Sequence, residues 1–181
     1  AMIGAFTFAG HGGRSVFGVG RIAQIAEEVQ MLGARRVLIL TSPSHRDVAG
    51  RVAADLGELF AGVCHDAAMH VPVETAMETR QLAIRLQADC CVTIGGGSAM
   101  DCAKALGARI ACPKKTLGQL KGTLHVLHRI PLLIAVPTTA GTGSETTLAA
   151  VITDSEKKHK YVLNDFVLIP RYAILDAELT Y

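Results

Sequence analysis

Two segments of this sequence combine glycines and hydroxyl side chains in a way that suits ligand binding. The first reads Gly-Gly-Gly-Ser at residues 95–98 and stands between an apolar run and a helical pattern. Successive glycines let a ligand approach the backbone closely, and the first turn of a helix presents unpaired N–H groups and a positive dipole. This arrangement favours a phosphate group. The alternative is a plain strand-to-helix turn in which Ser98 is the N-cap.

The second segment reads Pro-Thr-Thr-Ala-Gly-Thr-Gly-Ser-Glu at residues 137–145. It places four hydroxyl groups and two glycines directly after another apolar run. Hydroxyls and exposed backbone N–H groups bind phosphate, ribose or carboxamide oxygens. A Ser/Thr-rich loop that forms its own turns is the alternative. If both segments end strands of one sheet, we expect them to form a single binding site.

A third glycine pattern, Gly-Val-Gly-Arg-Ile-Ala at residues 18–23, matches the glycines of the dinucleotide-binding fingerprint. It precedes an amphipathic helical pattern, but no acidic residue follows where the fingerprint places its ribose ligand. Glycine patterns this short also arise by chance. We therefore expect a structural turn here, with phosphate binding as the less favoured alternative.

The elements around these segments alternate between strand and helix patterns. Continuous apolar runs predict buried strands, and apolar positions at helical spacing predict helices. The predicted strands are residues 37–40, 61–64, 90–94 and 132–136, and the predicted helices are residues 21–32, 47–59, 74–87 and a fourth that begins near Ser98. Such alternation is typical of βαβ units. We predict an α/β, Rossmann-like fold: a mostly parallel sheet with helices on both faces, which binds ligands beyond the carboxyl ends of its strands.

Shorter patterns flank this core. Residues 6–8 and 15–17 predict an opening hairpin. Near the C-terminal end, residues 148–153 and 160–163 predict an antiparallel hairpin around a charged turn, and residues 173–176 predict a last short strand. Residues 108–129 are mixed and suggest an exposed connection with a short helix around residues 117–120.

Composition limits the class of protein. The chain has 181 residues, of which 50% are hydrophobic and only 4% aromatic, so the core must be aliphatic. A net charge of +2 is too small to predict attraction to nucleic acid or to a membrane surface, and no apolar run is long enough to span a bilayer. Five cysteines without Cys-x-x-Cys spacing favour free thiols in a reducing compartment, so we expect a cytoplasmic protein.

The histidines and cysteines predict neither a metal site nor a nucleophile–base pair. Two histidine pairs have ligand-like spacing but lack a third ligand: His125 with His128, and His65 with His70. The adjacent Cys90 and Cys91 lie in a predicted strand, so their side chains point to opposite faces and favour buried structural thiols. We assign no catalytic and no metal-binding residue to this chain.

Taken in order, the motifs resemble those of the iron-containing alcohol dehydrogenase family. They are Gly-Gly-Gly-Ser-x-x-Asp-x-Ala-Lys at residues 95–104, the segment 137–145, Val-Ile-Thr-Asp at 151–154 and Lys-Tyr at 160–161. The resemblance implies that residues 1–181 form the dinucleotide-binding domain that comes first in this family. The helical metal-binding domain that follows it in the family would be absent from this chain.

The resemblance also implies an activity and a set of site residues. Hydride would pass between a nicotinamide cofactor, NAD or NADP, and a small alcohol or aldehyde, at a divalent iron or zinc ion held by the missing domain. The glycine turn would hold the pyrophosphate, and the second segment and the hairpin would line the rest of the cofactor. The cofactor-binding residues expected on this basis are Ser42, Gly96, Gly97, Ser98, Asp101, Thr138, Thr139, Thr142, Thr147, Val151, Lys160 and Leu179.

Two features depart from the pattern of the family's alcohol dehydrogenases. Members that prefer NAD often carry an aspartate after the strand at 37–40, whereas this chain has Thr41 and Ser42 there. Without that carboxylate a 2′-phosphate is not repelled, and Arg46 could assist, so we expect NADP to be tolerated. Residues 70–74 and 88–91 are more similar to maleylacetate reductases, whereas the motifs around the cofactor are similar to alcohol dehydrogenases.

The sequence therefore predicts the cofactor-binding domain of an NAD(P)-dependent alcohol dehydrogenase that is inactive by itself. Within enzymes the alternatives are a maleylacetate reductase and, more distantly, a relative such as glycerol dehydrogenase or dehydroquinate synthase. From another class, the alternative is a nucleotide-binding module without catalysis of its own. A domain separated from its partner should expose an apolar face, so a homo-oligomer is a further expectation.

Overall fold

The computed structural model describes residues 4–10, 13–66, 73–154 and 159–180. The strands in these ranges are β1 (Phe6–Gly10), β2 (Gly13–Phe17), β3 (Val37–Thr41), β4 (Phe60–Cys64), β5 (Cys90–Gly95), β6 (Gly122–Thr123), β7 (Leu132–Pro137), β8 (Ala149–Asp154), β9 (His159–Asn164) and β10 (Tyr172–Leu175). The α-helices are α1 (Ile25–Met31), α2 (Arg46–Leu56), α3 (Val73–Arg85) and α4 (Gly97–Ala111).

The main sheet has the strand order β1-β2-β10-β7-β5-β3-β4. Every neighbouring pair from β2 to β4 is parallel, and only β1 runs antiparallel, as the partner of β2 in the predicted opening hairpin. The chain passes from β3 outward to β4, then returns to the other side of β3 with β5 and continues to β7. The order therefore reverses between β3 and β5, which is where sheets of this kind bind ligands.

Helices cover both faces of this sheet, as predicted. Residues of α1 and α2 pack with Val37, Ile39 and Val92 on one face. On the other face α4 packs with Leu40 and Cys91, and α3 packs beside it. Within the described ranges, no helix is both long and apolar enough to cross a bilayer.

A second, three-stranded sheet has the order β6-β9-β8 and contains the predicted C-terminal hairpin. Its inner side chains, Ala150, Ile152 and Leu163, pack against α4 in the same apolar cluster as Cys91. The two-residue strand β6 was not predicted, because so short a strand has no side-chain periodicity to detect. The connection at 108–129 is also less exposed than expected, since it buries Leu117, Leu120 and Val126.

Several predicted elements have different ends in the structure. The helix expected at 21–32 starts with a 3₁₀ turn, Arg21–Gln24, before α1. The helix expected at 47–59 ends at Leu56, because Gly57 has a φ of 53° that an α-helix does not allow. A 3₁₀ turn, Gly57–Leu59, follows it. The strand predicted at 90–94 extends by one residue to Gly95.

The glycine pattern at 18–23 forms a structural turn around the carboxylate of Asp176. That carboxylate accepts hydrogen bonds from Gly20 N–H (3.1 Å), Ile22 N–H (3.0 Å) and Glu178 N–H (3.1 Å). Asp176 is 1% exposed and directly follows β10. Two backbone N–H groups that a phosphate would use are thus bonded to a buried side chain, and the prediction of a structural turn is confirmed.

Replacing Asp176 with alanine should lower the free energy of unfolding by about 3 kcal/mol, since it leaves three N–H groups without their charged acceptor. Urea denaturation of wild type and variant measures this difference. The matched control is Asp55→Ala, because Asp55 is exposed on α2; it should change stability by less than about 0.5 kcal/mol. Equal effects of the two substitutions would contradict the role given to Asp176.

Candidate functional site

The glycine turn joins the end of β5 directly to the start of α4. Gly95 has a φ of 152°, and a Cβ added to it would lie 2.8 Å from the Cβ of Ala99, so this position requires glycine. Gly96 is the N-cap, with extended backbone, and its carbonyl accepts hydrogen bonds from the N–H groups of Ala99 and Met100. The alternative in which Ser98 is the N-cap is therefore wrong, since Ser98 is the second residue of the helix. Because the N-cap is a glycine, no capping side chain covers the helix start.

The loop after β7 lies against this turn. Gly95 and Pro137 are register partners in the parallel β5–β7 pair, and Thr138 N–H donates to the Gly95 carbonyl at 3.0 Å. A Cβ on Gly96 would lie 3.2 Å from Thr139 Oγ1, and a Cβ on Gly97 would lie 3.0 Å from Thr142 Cγ2. The structure thus brings the two predicted segments together at the carboxyl edge of the sheet, in a contact so close that a side chain at position 96 or 97 would press on the threonines.

The threonine hydroxyls of this loop have different surroundings. Thr138 Oγ1 is buried and has no hydrogen-bond partner among the described residues. Buried hydroxyls are nearly always bonded, so one without a partner at this position suits a ligand oxygen. Elsewhere the loop bonds to itself, since Thr142 Oγ1 accepts from Ser144 N–H (3.4 Å) and Thr146 Oγ1 donates to the Gly143 carbonyl (3.1 Å). The loop therefore forms its own turn, as the alternative proposed, but it also leaves the Thr138 hydroxyl available for a ligand.

Polar side chains also follow β3, on the other side of the reversal in strand order. Ser42 Oγ lies 2.8 Å from Ser44 Oγ and 2.8 Å from His45 Nδ1. The preceding Thr41 donates its hydroxyl to the Ile94 carbonyl at 3.0 Å, which ties this exit to the end of β5. Arg46 is exposed and begins α2. The exit of β3 is thus placed beside the glycine turn.

The face of the β8–β9 hairpin that points away from α4 carries both apolar and polar side chains. Val151 pairs with Val162, and Thr153 pairs with Lys160. Val151 is 41% exposed and Val162 38% exposed, whereas Ala150, Ile152 and Leu163 point inward and pack against α4. Val151 and Lys160, both predicted to line the cofactor, therefore share one face of the hairpin.

Lys104, which the sequence analysis did not single out, connects this hairpin to α4. Its side chain is fully buried, and its Nζ donates to Thr147 O (2.8 Å), Thr147 Oγ1 (3.2 Å) and Ala149 O (2.9 Å). Burial lowers the pKa of Lys104 to about 8, although the carboxylates of Asp101 and Glu145 act in the opposite direction. A lysine between alanines in an apolar stretch of helix was the available signal.

Asp101 lies one turn before Lys104 on the same helix. Its carboxylate accepts a hydrogen bond from Val151 N–H. Burial raises the pKa of Asp101, while this hydrogen bond and the charge of Lys104 lower it. Asp101, which was predicted to bind the cofactor, and Lys104 thus both bond to the backbone around the start of β8.

Leu179 follows a strand that is not a neighbour of β5 in the sheet. It ends a 3₁₀ turn, Ala177–Leu179, after β10, which is separated from β5 by β7. Its partly buried side chain packs against the apolar cluster on the α1 and α2 face of the sheet.

The cysteines and histidines do not assemble a metal site in the part of the chain that is described. Cys90 and Cys91 are both buried and pack on opposite faces of the sheet, and burial raises the pKa of Cys90 to about 12. His125 and His128 are exposed, and His70 lies outside the described residues. No group of three or more His, Cys, Asp or Glu side chains in the described ranges is placed to hold a metal ion.

Comparison with known proteins places this geometry in a family. The profile of the family described as "Iron-containing alcohol dehydrogenase" matches residues 12–177. The chain belongs to the iron-containing alcohol dehydrogenase family. The predicted resemblance is thereby confirmed, and with it the oxidoreductase fold with an NAD-binding domain that this family shares.

Relatives include both kinds of enzyme that the sequence resembles. A maleylacetate reductase from Burkholderia cepacia is 36% identical over 176 residues, which are 97% of this chain and 44% of that protein. The structure of an alcohol dehydrogenase from Oenococcus oeni matches with a TM-score of 0.85 and 31% identity, covering 92% of this chain and 45% of that one. A sulfoacetaldehyde reductase from Bifidobacterium kashiwanohense, solved in complex with NAD+, matches with a TM-score of 0.85 and 27% identity, covering all of this chain and 48% of that one. The chain thus spans less than half the length of these relatives.

Proposed function

We propose that this chain binds a nicotinamide dinucleotide, NAD or NADP, as the cofactor-binding part of a metal-dependent oxidoreductase acting on a small alcohol or aldehyde. The observation that carries the proposal is the contact between the glycine turn and the threonine loop at the carboxyl ends of β5 and β7. At this contact the buried Thr138 hydroxyl has no partner among the described residues, and the start of α4 carries no side-chain cap hydrogen bond. A diphosphate can accept from the backbone N–H groups of the helix start and from this hydroxyl.

The proposal gives each part of the cofactor a position in the site. The pyrophosphate would be held at the helix start by Gly96, Gly97 and Ser98. Its oxygens on the side of the β7 loop would be bound by Thr138, Thr139 and Thr142. The adenosine ribose would lie near Ser42, across the reversal in strand order. Thr147, Val151 and Lys160 would line the hairpin side, and Leu179 the nicotinamide end. When bound, the cofactor supplies or accepts the hydride.

The described residues do not fit the metal that the family resemblance implies, because they contain no cluster of three ligands. Iron or zinc, together with the alcohol pocket, would belong to the helical domain that follows in the family. A cytoplasmic location and a homo-oligomeric state stay predictions.

The cofactor assignment predicts that Gly97→Ala weakens dinucleotide binding. The chain should bind NADH, NADPH or both. The added Cβ, 3.0 Å from Thr142 Cγ2, should displace the threonine loop from the helix start and raise the Kd at least about tenfold. Titration calorimetry, or NADH fluorescence, measures the Kd.

The matched control is Gly50→Ala, also a glycine in a helix, where an added Cβ meets nothing within 4 Å. This variant should bind the cofactor as the wild type does. Two results would overturn the proposal: a wild-type chain that binds neither dinucleotide, or a Gly97→Ala variant with unchanged affinity.

The residue after β3 predicts how the chain treats NADP. With serine rather than a carboxylate at position 42, the wild type should tolerate the 2′-phosphate, and Ser42→Asp should weaken NADPH relative to NADH by at least about tenfold through charge repulsion. Ser42→Asn is the neutral control of similar size and should keep the wild-type ratio of the two Kd values. A wild-type preference for NADH above about a hundredfold would contradict this prediction.

Maleylacetate reduction is the second candidate, favoured by the 36% identity to a maleylacetate reductase across 97% of this chain. The proposed alcohol dehydrogenase activity predicts that the complete, metal-loaded protein oxidises NAD(P)H with short aldehydes at a higher kcat/KM than with maleylacetate. Steady-state kinetics with both substrates decides between the two. A kcat/KM for maleylacetate more than about a hundredfold higher would replace the first candidate with the second.

A further inference from the structure

Two charged side chains of α4 cover the outer edge of β8. In the described part of the chain, β8 is an edge strand of the sheet β6-β9-β8. Its outer backbone groups would normally bond to another strand or to water. At the start of this edge, the Asp101 carboxylate instead accepts from Val151 N–H, and Lys104 Nζ donates to the Ala149 carbonyl at 2.9 Å. Just before the strand, Lys104 Nζ also donates to the Thr147 carbonyl at 2.8 Å.

The bonded backbone groups alternate along the chain at residues 147, 149 and 151. Alternation by two is the pattern with which one edge of a strand presents its N–H and C=O groups. The side chains bonded to them are three positions apart on α4 and so lie on one side of that helix. An acceptor and a donor on the helix therefore take the place of a neighbouring strand.

We propose that Asp101 and Lys104 are positioning residues that replace this missing strand and hold the β8–β9 hairpin at the spacing from α4 that dinucleotide binding requires. The inference rests on the proposed function, because the position of the hairpin affects binding only if the hairpin lines the cofactor site. Thr147 Oγ1 also accepts from Lys104 Nζ at 3.2 Å, which connects the pair to a predicted cofactor residue.

One helix thus carries both parts of the site. Gly97 and Ser98 form its first turn, where the phosphates would bind, and Asp101 and Lys104 follow on the next turns. Because the helix is rigid over this length, fixing the hairpin to it sets the distance from the phosphate site to Val151 and Lys160. Loss of the pair should displace the hairpin and leave the glycine turn in place.

The charge of Lys104 completes the arrangement. An ammonium group has three N–H donors, matched here by three acceptor atoms, whereas a neutral amine has two and leaves one acceptor unbonded. The charged groups that face Lys104 are Asp101 on its own helix and Glu145 in the loop before β8. Burial outweighs both and lowers the pKa of Lys104 to about 8, so the full set of bonds is lost as the pH rises above that value.

Hydrogen exchange tests the strand replacement without cofactor. In Asp101→Ala and in Lys104→Met, the Val151 amide should exchange at least about tenfold faster by NMR, while the Val92 amide in β5 keeps its protection and shows that the main sheet is folded. Asp101→Asn keeps an acceptor oxygen and should recover part of the protection. Lys114→Met, at an exposed lysine, is the control and should leave both amides unchanged.

Cofactor affinity against pH tests the positioning role. Wild-type affinity for NADH or NADPH should fall as the pH rises through about 8, and Lys104→Met should bind at least about tenfold more weakly with a flatter profile. The free energy of unfolding should instead increase with pH over this range. Lys104 stays protonated in the unfolded chain up to its ordinary pKa of 10.5, so its contribution to the unfolding free energy rises between pH 8 and 10.5. A lysine with a purely structural role would not make cofactor affinity fall while the stability of the fold rises with pH.

The outcomes distinguish the two proposals. A wild-type chain that binds neither dinucleotide overturns the proposed function, and the Val151 exchange then still decides whether the side chains replace a strand. Two results overturn the inference. One is a Val151 amide that exchanges at the wild-type rate in both Asp101→Ala and Lys104→Met. The other is a Lys104→Met variant that keeps the wild-type cofactor affinity and pH profile. If Lys104→Met fails to fold, Asp101→Ala is used for both measurements.

Discussion

The parallel pairing of β5 with β7 is the interaction on which the candidate site depends. The two strands pair residue for residue from Cys90 with Leu132 to Gly95 with Pro137, and the Thr138 N–H continues the ladder to the Gly95 carbonyl. This register leaves both chain segments at the same level beyond the sheet edge. A shift by one residue would turn the buried side chains of β5 to the wrong face and separate the glycine turn from the threonine loop. The apolar core and the polar site are therefore determined by the same set of hydrogen bonds.

Local patterns in the sequence were sufficient for most of this architecture. The runs at 37–40, 90–94 and 132–136 are apolar at every position except Thr93, which is expected of strands covered on both faces, and the structure places them in the interior of the sheet. The glycine turn and the threonine loop were predicted to meet for the same reason, since both follow such strands. Family resemblance then extended the prediction from a phosphate site to a dinucleotide domain.

What the sequence did not reveal depends on partners that are distant in the chain. Lys104 is in a helical pattern with no sign of its role, because its acceptors on Thr147 and Ala149 are 43 and 45 residues away. Ser98 has a typical capping side chain, yet the N-cap is decided by backbone angles that favour Gly96. The glycines at 18–20 satisfy a dinucleotide pattern, yet the carboxylate of Asp176, 156 residues beyond Gly20, occupies the amides there. The same local motif can thus bind a ligand or a side chain of the protein.

The way in which β8 ends its sheet has a consequence for the behaviour of the protein in concentrated solution. An unbonded strand edge is a template on which another chain can add a strand, and such pairing leads to domain swapping and fibrous aggregates. At the start of β8 two of the groups that would form this template, the Ala149 carbonyl and the Val151 N–H, are bonded by a lysine and an aspartate of the same chain. A foreign strand therefore meets groups that are already bonded at this end of the edge.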